Sequence, residues 1–184
     1  MKRTLVFLLV LTCTVALPAS SAAQPADCDV LPANLVVPAM YRQWVEDLIE
    51  RSSTLYRQCL VIAASEETVV TVTVGRWMAG DCRARTAFSR ERHGRLRAVV
   101  EIPVSAAFAE LLAHEFEHVV EQIERVDLRQ LAQTRNSGVR QVGRNTFETD
   151  RAFDAGMAAA GELAACGAAG QACARALMMV AAKD

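Results

Sequence analysis

The sequence predicts one α+β domain, in which a small antiparallel sheet packs with helices that come before and after it along the chain. Three observations support this. Apolar residues recur at helical spacing over 38–55, and two stretches, 69–74 and 85–103, are rich in Val and Thr or alternate in polarity like strands. Helical spacing then returns in the second half of the chain. Helix, strands and helices in that order are typical of the α+β class.

The elements of the first half follow from local signals. Pro38 suits the first turn of a helix, whose apolar face would carry Met40, Trp44, Leu48 and Ile49, with Leu55 beyond them. A strand is predicted at 69–74. A β-hairpin is predicted next, with arms at 85–90 and 96–103 and a turn near His93 and Gly94.

The second half is predicted to be helical around one polar loop. Ser105 is a good N-cap for a central helix over about 106–126. The stretch 133–145 is polar and contains glycine, which predicts a loop. A second helix is expected over about 146–164, and a short one at 172–182.

Residues 1–23 have the composition of a secretory signal peptide. Lys2 and Arg3 precede an apolar run over 5–17, and Ser21 and Ala23 mark a cleavage site before Gln24. This run is shorter than the roughly 20 residues that a membrane-spanning helix needs. We therefore expect a secreted or periplasmic bacterial protein, with residues 24–184 forming one domain that is not stably inserted in a membrane.

The charge balance argues against a general nucleic-acid binder. The chain has 20 basic and 21 acidic residues, so loss of Lys2 and Arg3 leaves 18 basic residues and a net charge of −3. Nucleic-acid-binding domains usually show a basic excess.

Export would permit disulfides. The chain has 6 cysteines, and Cys13 lies in the signal segment. Cys166 with Cys173 is the easiest pair to close, and Cys59 with Cys82 is a second candidate that leaves Cys28 near the mature N-terminus. Because five is odd, the spacing does not fix the connectivity, and buried free thiols remain an alternative.

The stretch "LLAHEFEHVVEQ", residues 111–122, carries the chemistry. Residues four apart share one face of a helix, so His114 and His118 can direct their imidazoles at one point. Such a pair suits Zn²⁺, and Glu115 stands beside it as a base that is not a ligand. The alternative is a pair of histidines that are solvated on the helix face or paired with other side chains for a structural purpose.

A catalytic zinc has three protein ligands and an open position. Glu121 and Glu124 follow on the same helix, where we expect them to be charged surface positions. His93 is expected to be a turn residue. Glu148 is the favoured third ligand, on a second helix that lies antiparallel to the first, and Asp150 and Asp154 are its rivals on that segment.

"HEFEH" with a downstream glutamate resembles the zincin metallopeptidases of the gluzincin type. The chain also resembles small uncharacterised exported bacterial proteins that carry "AHEFEHVVEQ" followed by "FETDRAFDAG". The likeness spans 99–156. It implies a minimal zincin-like domain with one zinc on His114, His118 and Glu148, Glu115 as catalytic base, and a strand at 99–103 beside a cleft for extended peptides.

Two departures from that family are visible. The position four residues after the ligand glutamate, an aspartate in thermolysin-like enzymes, is Ala152, so support for a ligand histidine would come from Asp154, Glu101 or a backbone carbonyl. Both tyrosines, Tyr41 and Tyr56, precede the motif, which leaves Arg151 as the candidate oxyanion stabiliser.

The sequence therefore favours an exported zinc-dependent peptidase that acts on peptides or protein segments. The first alternative is a non-catalytic, zinc-containing binding module. The second is a disulfide-stabilised interaction domain without a metal. The sequence does not indicate an oligomeric state.

Overall fold

The computed structural model describes residues 28, 31–75 and 83–169, and it confirms the α+β class. Over these residues the elements, in chain order, are β1 (Leu35–Val36), α1 (Ala39–Arg51), α2 (Ser53–Ala64), β2 (Thr68–Gly75), β3 (Arg85–Arg90), β4 (Leu96–Pro103), α3 (Phe108–Ile123), α4 (Leu128–Ala132), β5 (Val139–Gly143), β6 (Thr146–Thr149) and α5 (Asp150–Ala169). The predicted helix at 172–182 lies outside the described residues.

The main sheet has four strands in the order β1-β2-β4-β3. The predicted hairpin is confirmed with both arms as expected, and Gly94 occupies its turn with φ of 89°. The sheet as a whole is mixed, because β2 runs parallel to β1 and β4 while β3 runs antiparallel to β4. β4 therefore has a partner on each side, and β3 lies at the edge.

Helices cover one face of this sheet. In β4, Leu96, Ala98, Val100 and Ile102 are buried while the residues between them are more exposed, as expected for a strand with one covered face. α3 packs between the sheet and α5, and its Phe108, Leu112 and Phe116 belong to the core. A helix buried on nearly all sides places its polar residues in the interior, where each needs a partner.

The predicted N-terminal helix is two helices that meet at Ser52. The Ser52 hydroxyl accepts a hydrogen bond from the Leu55 N–H (3.2 Å) and so caps α2. On the apolar face of α1, Leu48 and Ile49 are buried, whereas Met40 is 81% exposed. Trp44 is partly exposed and stacks on Phe108 with ring centroids 4.2 Å apart.

Glu162 of α5 joins its helix to the start of α2. Its carboxylate accepts hydrogen bonds from the hydroxyls of Ser52 (2.6 Å), Ser53 (2.6 Å) and Thr54 (2.9 Å), and from the Thr54 N–H (3.1 Å). Partial burial opposes ionisation of Glu162, but these hydrogen bonds outweigh it and hold the pKa below its usual value. A carboxylate at a helix N-terminus is also attracted by the positive end of the helix dipole.

We expect Glu162→Gln to lower the free energy of unfolding at neutral pH by about 1–3 kcal/mol, since charged acceptors form the stronger hydrogen bonds. Because the folded pKa of Glu162 is depressed, its contribution is present above the unfolded value and is lost as the pH falls through the folded value. Urea unfolding at neutral and acidic pH measures both effects. An equal loss at every pH would contradict the role given to the charge.

A disulfide links Cys28 to Cys59 of α2, with Cα atoms 6.2 Å apart. The predicted Cys59–Cys82 pair is therefore wrong, because the N-terminal segment brings Cys28 to α2 instead. Cys166 is buried, with its Sγ 3.5 Å from the Arg51 carbonyl, and its predicted partner Cys173 lies outside the described residues. The Cys28–Cys59 bond is compatible with an extracellular location.

Across the described residues, none of the helices is both long and apolar enough to span a bilayer. The segment predicted as a signal peptide, residues 1–23, lies outside the described residues.

Candidate metal centre

The central helix α3 carries His114, Glu115 and His118. It begins after Ala107, two residues later than predicted, and no side chain caps it: Ser105 contributes its carbonyl to the Phe108 N–H (3.2 Å) rather than its hydroxyl. Glu115 and His118 are buried and His114 is half-buried. The two imidazole rings lie 4.9 Å apart, centroid to centroid, as expected for positions four apart on one helix face.

Glu148 lies on a strand, and its predicted placement within a helix is wrong. The stretch predicted as a loop forms β5, which pairs with β6, and α5 begins only at Asp150. Thr146, Phe147 and Thr149 favour a strand over a helix. The Thr149 hydroxyl accepts a hydrogen bond from the Ala152 N–H (2.9 Å) and so supports the first turn of α5. Glu148 thus stands next to the strand-to-helix junction.

The structure brings His114, His118 and Glu148 together. One ligand atom from each lies within 4.8 Å of the others, and this group could hold a metal ion. The Glu148 Oε2 is 3.1 Å from His114 Nε2 and 3.9 Å from His118 Nε2. Ligands at about 2.0–2.1 Å from a tetrahedral zinc are about 3.3 Å apart. The donors fit such an ion in type, the separation of 3.1 Å fits it in spacing, and the wider separations would have to shorten around the ion.

His118 is oriented by a carboxylate that the sequence analysis placed on the surface. Glu121 is 2% exposed, and its Oε2 is 2.9 Å from His118 Nδ1, while its Oε1 accepts a hydrogen bond from the Thr149 hydroxyl (2.7 Å). With Nδ1 donating to Glu121, Nε2 keeps its lone pair for a metal. The i, i+3 spacing from His118 was the signal that could have identified this partner.

Hydrogen bonds among the grouped residues and Glu121 shift the pKa values of Glu148 and His118. Hydrogen bonds to His114 and His118 lower the pKa of Glu148. Burial opposes protonation of His118, but hydrogen bonds to Glu121 and Glu148 outweigh it and raise its pKa to about 9. Because a metal ion binds the neutral imidazole, a proton and a cation would compete for His118.

Glu115 faces β3. Its side chain is 5% exposed, and its Oε2 accepts a hydrogen bond from the Thr86 hydroxyl (2.6 Å). Burial raises the pKa of Glu115, partly countered by this hydrogen bond and by the two histidines. A buried carboxylate with a raised pKa beside a candidate metal centre is suited to accept and return a proton.

Gly156 sets the distance between α3 and α5 at this site. A Cβ on Gly156 would lie 2.9 Å from the Glu110 carbonyl oxygen and 3.4 Å from the Cβ of His114. A side chain here would force the two helices apart. The absence of a side chain therefore lets α5 approach α3 next to the first ligand histidine.

The rival ligands do not join the group. His93 is exposed in the hairpin turn, and Asp150 and Asp154 are exposed on α5. Glu124 lies at the end of α3, where it accepts a hydrogen bond from Arg151. In the part of the chain that the structure describes, His114, His118 and Glu148 are the one group of His, Cys, Asp or Glu side chains that could hold a metal ion.

Three supporting roles suggested by the sequence are also corrected. Arg151 donates to Glu117 (2.6 Å) and Glu124 (2.5 Å), which occupy the guanidinium proposed as oxyanion stabiliser. Glu101 pairs with Arg85, and Asp154 is exposed, so the support for His118 comes from Glu121 instead.

The strand predicted to lie beside a peptide-binding cleft, residues 99–103, has no free edge at which a peptide could bind. Residues 99–103 belong to β4, which is hydrogen-bonded to neighbours on both sides and has no edge for a peptide. The neighbouring edge strand is β3, which carries the Thr86 that contacts Glu115.

No protein-family model matches this chain, and comparison with curated proteins and with solved structures gives no significant match. The resemblance to gluzincins therefore rests on the sequence motif alone.

Proposed function

We propose that this chain is an exported zinc-dependent peptidase. The observation that carries the proposal is the convergence of two α3 histidines and the β6 glutamate on one point, with the buried carboxylate of Glu115 beside them. Zinc bound there would supply a Lewis acid that polarises a peptide carbonyl and lowers the pKa of water.

The protein's own residues would then hold the metal and move one proton. His114, His118 and Glu148 are the proposed ligands. Glu115 takes a proton from the attacking water as the new C–O bond forms, and returns it to the amine nitrogen as the C–N bond breaks. The Thr86 hydroxyl, 2.6 Å from Glu115 Oε2, fixes the direction in which that carboxylate points.

The substrate we propose is a peptide or protein segment bound in extended form along β3. This strand is paired with β4 on one side and lies at the edge of the sheet, where a peptide can add as a further strand. Thr86 ties the same strand to Glu115, so a peptide hydrogen-bonded to β3 would run close to the proposed base. Nucleic acid is not proposed as a partner.

The test is metal analysis of the purified mature protein beside two histidine variants. We expect about one zinc per chain in the parent protein, loss of that zinc in His118→Ala, and retention of it in His93→Ala. His93 is the matched control because it is an exposed turn residue away from the ligand group. A parent protein that takes up no zinc, even after reconstitution, would overturn the metal site and the enzyme with it.

A non-catalytic zinc-containing binding module is the second candidate. It is favoured by the engagement of Arg151 with Glu117 and Glu124, which removes the proposed oxyanion stabiliser. Zinc content alone does not distinguish this candidate from the peptidase, whereas substitution of Glu115 does.

A further inference from the structure

Arg140 is the residue opposite the candidate ligand Glu148 in the β5–β6 hairpin. Residues directly opposite each other in an antiparallel pair project their side chains from the same face, with Cβ atoms about 4.5–5.5 Å apart. Glu148 directs its carboxylate to the two α3 histidines from that face. The Arg140 side chain therefore leaves the hairpin on the same face as Glu148, one strand away from this candidate ligand.

Arg140 is only weakly held by the protein. Its side chain is 69% exposed, and among the described residues its ion pair is with Asp150, at 3.9 Å and itself 66% exposed. Arg151 and Arg83 differ in this respect: Arg151 is held by Glu117 and Glu124, and Arg83 by Glu110 at 3.2 Å. A guanidinium with so little intramolecular pairing can form a two-point hydrogen bond with an added carboxylate.

The backbone that carries Arg140 is firmly anchored. Gly138, with φ of 74°, accepts a hydrogen bond from the Asp150 N–H (2.7 Å), and the Val139 N–H donates to the Ser137 hydroxyl (3.2 Å). The first hydrogen bond ties the start of β5 to the first residue of α5, and the second fixes the turn before β5. The exposed guanidinium thus extends from a fixed base, which lowers the entropy lost on binding a ligand.

The surrounding segment has a charge unlike that of the whole chain. Residues 128–147 include four arginines and no acidic residue, although the chain as a whole has a net charge of −1. Such a local excess raises the concentration of anionic groups near it. An anionic ligand is therefore favoured at this side of the site.

We propose that Arg140 binds a carboxylate of the substrate beside the candidate metal centre. The inference rests on the proposed peptidase function and adds a substrate class, namely peptides with a carboxylate next to the bond that is cut. An Asp or Glu side chain and the free C-terminus of a peptide offer the same chemistry. Either would give the guanidinium the bidentate partner that it lacks within the protein.

The test measures binding without relying on cleavage. Zinc-loaded Glu115→Gln protein is titrated with three pools of short, otherwise uncharged fluorescent peptides that differ only in the central residue and the C-terminus. The first pool has Gln and an amidated C-terminus, so it carries no carboxylate. The second has Glu and an amidated C-terminus, and the third has Gln and a free C-terminus. The titrations are repeated with Arg140→Ala and Arg140→Lys added, and with Arg144→Ala as the control. Arg144 lies in the turn of the same hairpin, so its removal changes the net charge equally. Zinc content is measured for every variant first.

We expect one carboxylate-bearing pool to bind about tenfold more tightly than the amidated Gln pool, as a charged hydrogen bond allows. Arg140→Ala should remove that gain, Arg140→Lys should keep part of it, and Arg144→Ala should keep it all. The pool that shows the gain identifies the source of the carboxylate. Equal binding of the three pools, or equal losses in Arg140→Ala and Arg144→Ala, would overturn the inference. A binding difference without cleavage by the parent protein would instead count against the peptidase alone.

Discussion

Replacing Glu115 with glutamine is expected to lower kcat/KM on peptide substrates by about 10²–10⁴-fold while leaving the zinc content unchanged. Glutamine keeps the size of the side chain and can still accept the hydrogen bond from Thr86, but it cannot accept a proton from water. Glu115 is not one of the three grouped ligands, so its loss should not release the metal. Peptide hydrolysis and zinc content, measured on the same preparation, check both parts.

Glu124→Gln is the matched control, because Glu124 ends the same helix and pairs with Arg151 away from the ligand group. Its activity should stay within a few-fold of the parent protein. If Glu115→Gln retained full activity, Glu115 would not be the base. If the zinc-loaded parent protein hydrolysed no peptide in a broad substrate screen, the binding-module alternative would be favoured.

Glu121→Ala is expected to weaken zinc binding by about 10–100-fold, as loss of the carboxylate that orients a ligand histidine does at other zinc sites. Without Glu121, the His118 ring loses the hydrogen bond that fixes its tautomer and angle. The Thr149 hydroxyl, buried at the strand-to-helix junction next to Glu148, also loses its acceptor. One substitution would therefore disturb ligands on both α3 and β6.

Competition with a fluorescent chelator measures this affinity directly. Glu121→Gln provides the informative comparison, since an amide oxygen can still accept from either His118 or Thr149 and should restore part of the affinity. A loss of stability with unchanged zinc affinity would mean that Glu121 serves only packing.

The elements predicted correctly from sequence are those set by interactions between residues that are close together in the chain. The β3–β4 hairpin follows from alternating residues and a glycine turn, and the α3 histidine pair follows from helical periodicity. The parallel pairing of β2 with β4 was not predictable in this way, because it joins strands that are not consecutive and depends on how the helices cover the sheet.

In the candidate site, too, features set by nearby residues were predicted and features set by tertiary contacts were missed. The three grouped residues were all identified: the histidine pair followed from its spacing, and Glu148 from the expectation of a downstream carboxylate on a neighbouring element. The strand conformation of Glu148 was missed because its polar surroundings suggest a loop and the residues after it suggest a helix. The burial of Glu121 was missed because α5 packs on α3 and the Thr149 hydroxyl reaches this carboxylate, and the sequence of a charged helix does not reveal such tertiary contacts.

The placement of Glu148 on β6 also couples metal binding to folding. Two of the grouped ligands belong to one helix, but the third is 34 residues from His114 and reaches the group only when the β5–β6 hairpin and α5 have docked. An ion that binds the native state alone raises the free energy of unfolding by about 4 kcal/mol at a thousandfold excess over its dissociation constant. Zinc would then act as a reversible cross-link, and a chelator would lower the stability of the fold as well as remove its chemistry.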